Sequence, residues 1–182
     1  MNRISLVLFV ALGLAWPLLL AAGRQDETQQ ASKPGLFFVV RHAEKAAEGG
    51  RDPQLSAKGL ARAAALARAL STVGLESVSA TEYHRTQDTA APTAKRAGLE
   101  VQSYGAAKTR THAVALASAG GTHLVIGHSN TVPVILKSLG VTEEIALQED
   151  EYDDLFCVVR DGAGQARLIR LHYGDDDQAE GQ

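Results

Sequence analysis

The sequence predicts an α/β fold: three layers, α/β/α, around a mostly parallel sheet with a C-terminal antiparallel hairpin. Two patterns carry this. Between residues 36 and 139, short apolar runs alternate with longer segments of helical periodicity. That alternation builds a parallel sheet with helices on both faces. Two further apolar runs then follow each other across RDGAGQ, a Gly-containing turn that reads as a hairpin.

The first strand is residues 36–40, LFFVV, apolar at every position and so expected to be buried on both faces. Residues 56–70, SAKGLARAAALARAL, form a helix capped by Ser56. Leu60, Ala64, Ala67 and Leu70 are expected on its buried face, with Arg62 and Arg68 away from it. Residues 77–80 are a short strand. Residues 85–97 are a helix, with Pro92 expected to bend it and Gly98 to stop it. A weak strand over 99–103 and a helix over 109–119 follow, the helix ending at Gly120 and Gly121. Residues 123–126 are a strand. The helix over 131–139 tolerates Pro133 in its first turn and stops at Gly140. DDLFCVV and ARLIRLHY are the hairpin strands.

The flanks differ in character. Residues 1–23 begin MNR and run into a nearly uncharged apolar stretch that ends in Ala21, Ala22 and Gly23. This reads as a secretory signal peptide. The stretch is long enough to be a retained N-terminal membrane anchor instead, since roughly 18 apolar residues span a bilayer. Either reading places the protein outside the cytoplasm, in a bacterial periplasm or on the outer face of the inner membrane. No Cys follows the run, which excludes a lipid anchor on an N-terminal cysteine. Residues 24–34 are a polar linker, 35–173 the domain, and 174–182 an acidic flexible tail.

The chain carries 18 basic and 21 acidic residues, a net charge of −3. No nucleic-acid partner is expected, because such a protein usually shows a basic patch or stripe. The single cysteine, Cys157, lies in the apolar run LFCVV and reads as a small core residue. Cysteine-based zinc sites are excluded. The sequence leaves the oligomeric state open.

Chemistry concentrates at strand ends. The first strand runs into Arg41 and His42, with Glu44 and Lys45 behind; the second is followed by TEYHRTQDTA, with Arg85 at a helix start; the fourth ends in VIGHSNT, with His128 just before a helix. The C-terminal ends of parallel strands lie on one edge of the sheet, where ligands bind. Two arginines, two histidines and a helix start converging there suit a phosphoryl group. Arginine matches phosphate oxygens with a planar fork of donors, a helix start offers backbone N–H groups, and a neutral histidine is a nucleophile. His84 reads as a surface residue and His172 as structural; His112 and His123 have no positional reason to be in a site. GHSNT begins like a nucleophile elbow around Ser129 but has Thr131 where that motif needs Gly, which disfavours a serine hydrolase.

VVRHAEK, LSAKGLARA, TEYHRTQDTA and VIGHSNT, in that order, resemble the histidine phosphatase superfamily, also called phosphoglycerate mutase-like. The resemblance is to its small members, such as the bacterial phosphohistidine phosphatases. It implies a phosphoglycerate mutase-like fold and a phosphatase that works through a phosphohistidine on His42. Arg41 and Arg85 would bind the non-bridging oxygens and His128 would donate to the transferred group. Ser129 and Asn130 would add donors at the helix start. Read from their position alone, Glu44 and Lys45 either line the mouth of the substrate site or form a solvated pair. No cofactor or metal is implied, because the arginines supply the positive charge. The substrate would be a small phosphate monoester or phosphoramidate, or a phosphorylated envelope component. A mutase fits an exported chain poorly. The competing reading is a phosphate- or phosphosugar-binding protein that keeps the pocket without turnover.

The resemblance breaks at the general acid. One branch of the family carries a Glu about 25 to 30 residues beyond the second Arg, and the other an Asp directly after the second His. Here the first window is RTHAV and the second position is Ser129. Glu44, Glu82 and the acidic run over 148–154 are the candidate substitutes, with no dedicated acid the favoured reading.

Overall fold

Strand β1 (Gly35–Arg41) leads through a loop to helix α1 (Ala57–Ala69), and strand β2 (Ser77–Thr81) to helix α2 (His84–Ala97). Strand β3 (Val101–Tyr104) and a short 3₁₀ turn (Ala106–Lys108) precede helix α3 (Thr109–Ala119). Strand β4 (Gly121–Gly127), helix α4 (Val132–Ser138) and the pair β5 (Asp154–Arg160) and β6 (Ala166–His172) complete the domain. This structure, a computed structural model, describes residues 33–174. The expected signal peptide or anchor, most of the linker and nearly all of the tail lie outside the described residues. Among the described residues no helix is long and apolar enough to cross a membrane.

The six strands form one sheet in the order β3-β2-β4-β1-β5-β6. β1, β2, β3 and β4 are mutually parallel, and β5 runs antiparallel to both β1 and β6. The register levels the ends: Arg41 pairs with Gly127, and Ala80 with Ile126. The C-terminal ends of β1, β2 and β4 therefore share one edge. Because β5 opposes β1, its beginning reaches that same edge, and so does the chain that leads into it.

Side chains alternate across β1. Phe38 and Val40 pack with α1 and α2 residues such as Leu66 and Ala90, while Phe37 and Val39 pack with Ala113, Ile135 and Leu136 from α3 and α4. Those two cores make the three layers. Cys157 is buried, as expected, and burial pushes its thiol pKa up. Gly98 caps α2 in the left-handed conformation, at φ 70°, where a side chain would be disfavoured. Helix α2 runs on through Pro92 rather than ending there.

Helix α1 differs from expectation in its first half, at Leu60, Arg62 and Ala64. Ala67 and Leu70 are buried and Arg68 exposed, as expected, but Leu60 is 57 % exposed, and Gly59, Arg62, Ala63, Ala65 and Leu66 complete the buried face. Two close contacts turn it. Gly59 sits against the backbone of Glu44, where any Cβ would collide with the Glu44 carbonyl. Arg62 is drawn inward by the Glu44 carboxylate.

Candidate active site

Arg41, His42 and His128 are buried, 4 %, 5 % and 8 % exposed, at the floor of a cavity of about 490 Å³. Lys45, Tyr83, Arg85, Ser129, Asn130 and Glu149 complete the part of its lining that matters here. His42 is fixed from three directions. Its backbone N–H donates to Gly127 O at 2.9 Å, which ties it to the end of β4. The next residue's N–H, on Ala43, donates to Thr89 Oγ1 at 2.9 Å. Its ring Nδ1 lies 2.8 Å from Ala43 O. A carbonyl only accepts, so in the neutral ring the proton sits on Nδ1 and the lone pair on Nε2. Burial pulls the His42 pKa down to about 3; the Ala43 hydrogen bond opposes it, and the charges of His128, Arg41 and Arg85 add smaller lowering effects. At neutral pH this is a neutral imidazole with Nε2 unprotonated.

The His128 ring meets the His42 ring edge-on, with centroids 5.3 Å apart. Its Nε2 is 2.8 Å from Thr81 Oγ1, which is 2.8 Å from Thr86 Oγ1. Thr86 donates its one hydroxyl proton to backbone carbonyls, at Tyr83 O (2.8 Å) or Thr81 O (3.0 Å). Thr81 must then donate to Thr86, so His128 Nε2 carries a proton and donates to Thr81. Burial, and next Arg85, lower the His128 pKa to about 4. A neutral His128 therefore turns an acceptor, Nδ1, to its other side. Donation from that side to a phosphoryl oxygen requires a second proton, which a bound dianion favours.

The arginines play different parts. Arg41 Nη1 donates to Gln148 O at 2.8 Å and Glu151 O at 3.0 Å, and its guanidinium stacks 4.2 Å from the Tyr152 ring. Its Nε is buried and has no partner among the described residues. Arg41 and His42 both line the cavity, so the guanidinium charge stands near the place a phosphoryl group would occupy. Arg85 lies over the Tyr83 ring at 4.5 Å, touches Asp52 at 3.4 Å, and lines the cavity.

A family model described as histidine phosphatase superfamily (branch 1) matches residues 37–106, the stretch that holds Arg41, His42 and Arg85. Over that stretch the chain is similar to the histidine phosphatase superfamily.

The fold is shared with solved structures. The protein histidine phosphatase SixA bound to tungstate superposes with a TM-score of 0.62 at 18 % identity, covering 75 % of this chain and 96 % of that one. A mycobacterial glucosyl-3-phosphoglycerate phosphatase gives 0.62 at 15 %, covering 78 % and 100 %. Phosphoglycerate mutase from Bacillus anthracis gives 0.60 at 14 %, covering 79 % and 95 %. No curated protein matches the chain by sequence.

The structure brings Arg41, His42, Arg85, His128, Ser129 and Asn130 to one cavity. It does not bring Glu44 there, contrary to the sequence expectation. Both Glu44 oxygens accept from Arg62 Nε at 3.0 Å, and Oε1 from Nη2 at 2.8 Å. The physical reason is Arg62: a buried guanidinium needs a counter-charge, and Glu44 is the carboxylate that supplies it. Two backbone donors at the start of α4 are already engaged. Thr131 N and Val132 N both donate back to His128 O, and Thr131 Oγ1 accepts from His128 N.

The other histidines and carboxylates find places too. His123 donates from Nε2 to Gly120 O and accepts from Ser77, a structural role. His112, in the branch window that lacks its Glu, bonds Ser79 and stacks on Tyr104. Glu82 accepts from Ala106 N at 2.7 Å. Sequence reasoning missed Thr81, Thr86, Thr89, Tyr83 and Tyr152. The TEYHRTQDTA motif holds four of these, spaced to face the strand it follows; Tyr152 had no signal beyond the acidic run. Among the described residues, Asp153, Asp154 and His172 are close enough together to hold a metal, but Arg170 already forks onto Asp154 there, and none of them lines the cavity.

Proposed function

We propose that this chain is an exported, metal-independent phosphatase that cleaves phosphate monoesters or phosphoramidates through a phosphohistidine on His42. One observation carries the mechanism: the Nδ1–H of His42 is held by Ala43 O, so Nε2 keeps its lone pair in a cavity that Arg41 and Arg85 also line. Nε2 attacks phosphorus, and the bond to the leaving oxygen or nitrogen breaks with its electron pair on the leaving group. Arg41 and Arg85 hold the non-bridging oxygens as charge develops. Water then attacks phosphorus, the P–N bond breaks, and the electron pair returns to Nε2. The protein histidine and glucosyl-3-phosphoglycerate phosphatases among the structural neighbours support a small phosphorylated substrate. The apolar leader over residues 1–23 supports an envelope location, in the periplasm or on the outer face of the inner membrane.

The test is the intermediate itself. Rapid quenching with an aryl phosphate should trap acid-labile, base-stable phosphate on His42. His42→Ala should lose essentially all turnover while remaining folded by circular dichroism. Activity should survive EDTA and fall with vanadate. Undiminished hydrolysis by His42→Ala would overturn the mechanism; loss in EDTA restored by a divalent metal would overturn the metal-free reading. Phosphate bound without any phosphoenzyme would leave a binding protein.

A further inference from the structure

We infer that Glu149 is the proton donor to the leaving group, the role for which neither superfamily position has a carboxylate. The inference rests on the phosphatase reading and adds a residue to it. Glu149 is the only carboxylate among the residues that line the cavity. The nearby alternatives are engaged: Glu44 by Arg62, Glu82 by Ala106 N, and Asp52 by His84 N and Arg85. No hydrogen-bond or ion-pair partner among the described residues holds the Glu149 carboxylate.

Its position is built. Residues 148–151 form a tight turn, with Glu151 N donating to Gln148 O at 3.3 Å and the Glu151 carboxylate accepting from Gln148 N at 2.9 Å. Arg41, the neighbour of the nucleophile, clamps both ends of this turn by Gln148 O and Glu151 O. One guanidinium thus fixes the attacking side and the turn that carries Glu149 at its tip. The direction of reaction also agrees. In-line displacement sends the leaving group away from the nucleophile. His42 is at the buried floor and Glu149 is exposed, so the leaving atom faces the mouth where Glu149 stands. As the P–O bond breaks, the Glu149 O–H gives its proton to the leaving oxygen. In the second step the resulting carboxylate takes a proton from the attacking water, which restores the acid.

The experiment compares Glu149→Gln with the parent on p-nitrophenyl phosphate and on glycerol 2-phosphate. A general acid contributes about 10²–10⁴-fold, and most to poor leaving groups. Glu149→Gln should therefore lose on that order of kcat/KM on the alkyl ester and far less on the aryl ester. The dependence of rate on leaving-group pKa should steepen, and phosphohistidine should still form from the aryl ester. Equal losses on both esters, or an alkyl rate that survives, would overturn the assignment alone. So would a parent that hydrolyses the aryl ester but not the alkyl one. A parent that forms no phosphohistidine from either ester would instead overturn the phosphatase reading beneath it.

Discussion

Removing the charge of Glu44 should unfold the protein before it slows the chemistry. The Arg62 side chain is 2 % exposed and that of Glu44 14 %, so their forked pair is shielded from water. Arg62 also donates to Tyr173 O at 3.2 Å, which ties α1 to the end of β6. Breaking a buried pair by deleting one partner costs about 3–5 kcal/mol, because the remaining charge is stranded. Glu44→Gln keeps one oxygen in place, so the low end, about 3 kcal/mol, is expected. For a domain of this size each kcal/mol moves Tm by roughly 3–4 °C, so Tm should fall on the order of 10 °C. Replacing both partners, as Glu44→Leu with Arg62→Met, should recover much of the loss, since no charge is left buried. Below the melting range, kcat/KM of Glu44→Gln on aryl and alkyl phosphates should change by less than about threefold, under 1 kcal/mol of barrier. Calorimetry and the two-substrate assay together check this. An unchanged Tm with a loss confined to alkyl esters would refute it, and would return Glu44 to the site as an acid.

Gly59→Ala should destabilise the protein, although alanine normally favours a helix by about 1 kcal/mol over glycine. Its Cβ would meet the Glu44 carbonyl, so Tm should fall and turnover with it, as the loop behind His42 is displaced; a higher Tm would refute the close packing. The histidines set the response to acid. His42 and His128 are held at about 3 and about 4, below the ordinary 6.5. A histidine depressed in the fold binds its proton more readily when unfolded, so its contribution to stability is present above pH 6.5 and is lost as pH falls toward 4 and 3. The urea midpoint should fall over that window, and fall less steeply in His42→Asn. The kcat/KM for an aryl phosphate, corrected for substrate ionisation, should keep its nucleophile active down to about pH 4; an enzyme limb near 6.5 would refute the depressed His42.

The sequence by itself determined the layers and the four strand-end residues. Apolar runs at LFFVV and HLVI, glycine stops at Gly98 and Gly140, and the hairpin turn were legible because they are local. Arg41, His42, Arg85 and His128 were legible as a group because parallel strands end on one edge, whatever their order in the sheet. What followed from the order itself was not legible. β5 lies beside β1 and antiparallel to it, so the acidic run that precedes it arrives at the site edge, where Arg41 takes its carbonyls and Glu149 lines the cavity. The partner of Glu44 is 18 residues away on a helix whose buried stripe is set by contact, so charge alone could not say whether Glu44 faces substrate or Arg62. The tautomers of His42 and His128 depend on Ala43 O and on the Thr81–Thr86 pair. Those are hydrogen bonds of defined direction, and direction exists only once the donors and acceptors have been brought within 3 Å of each other.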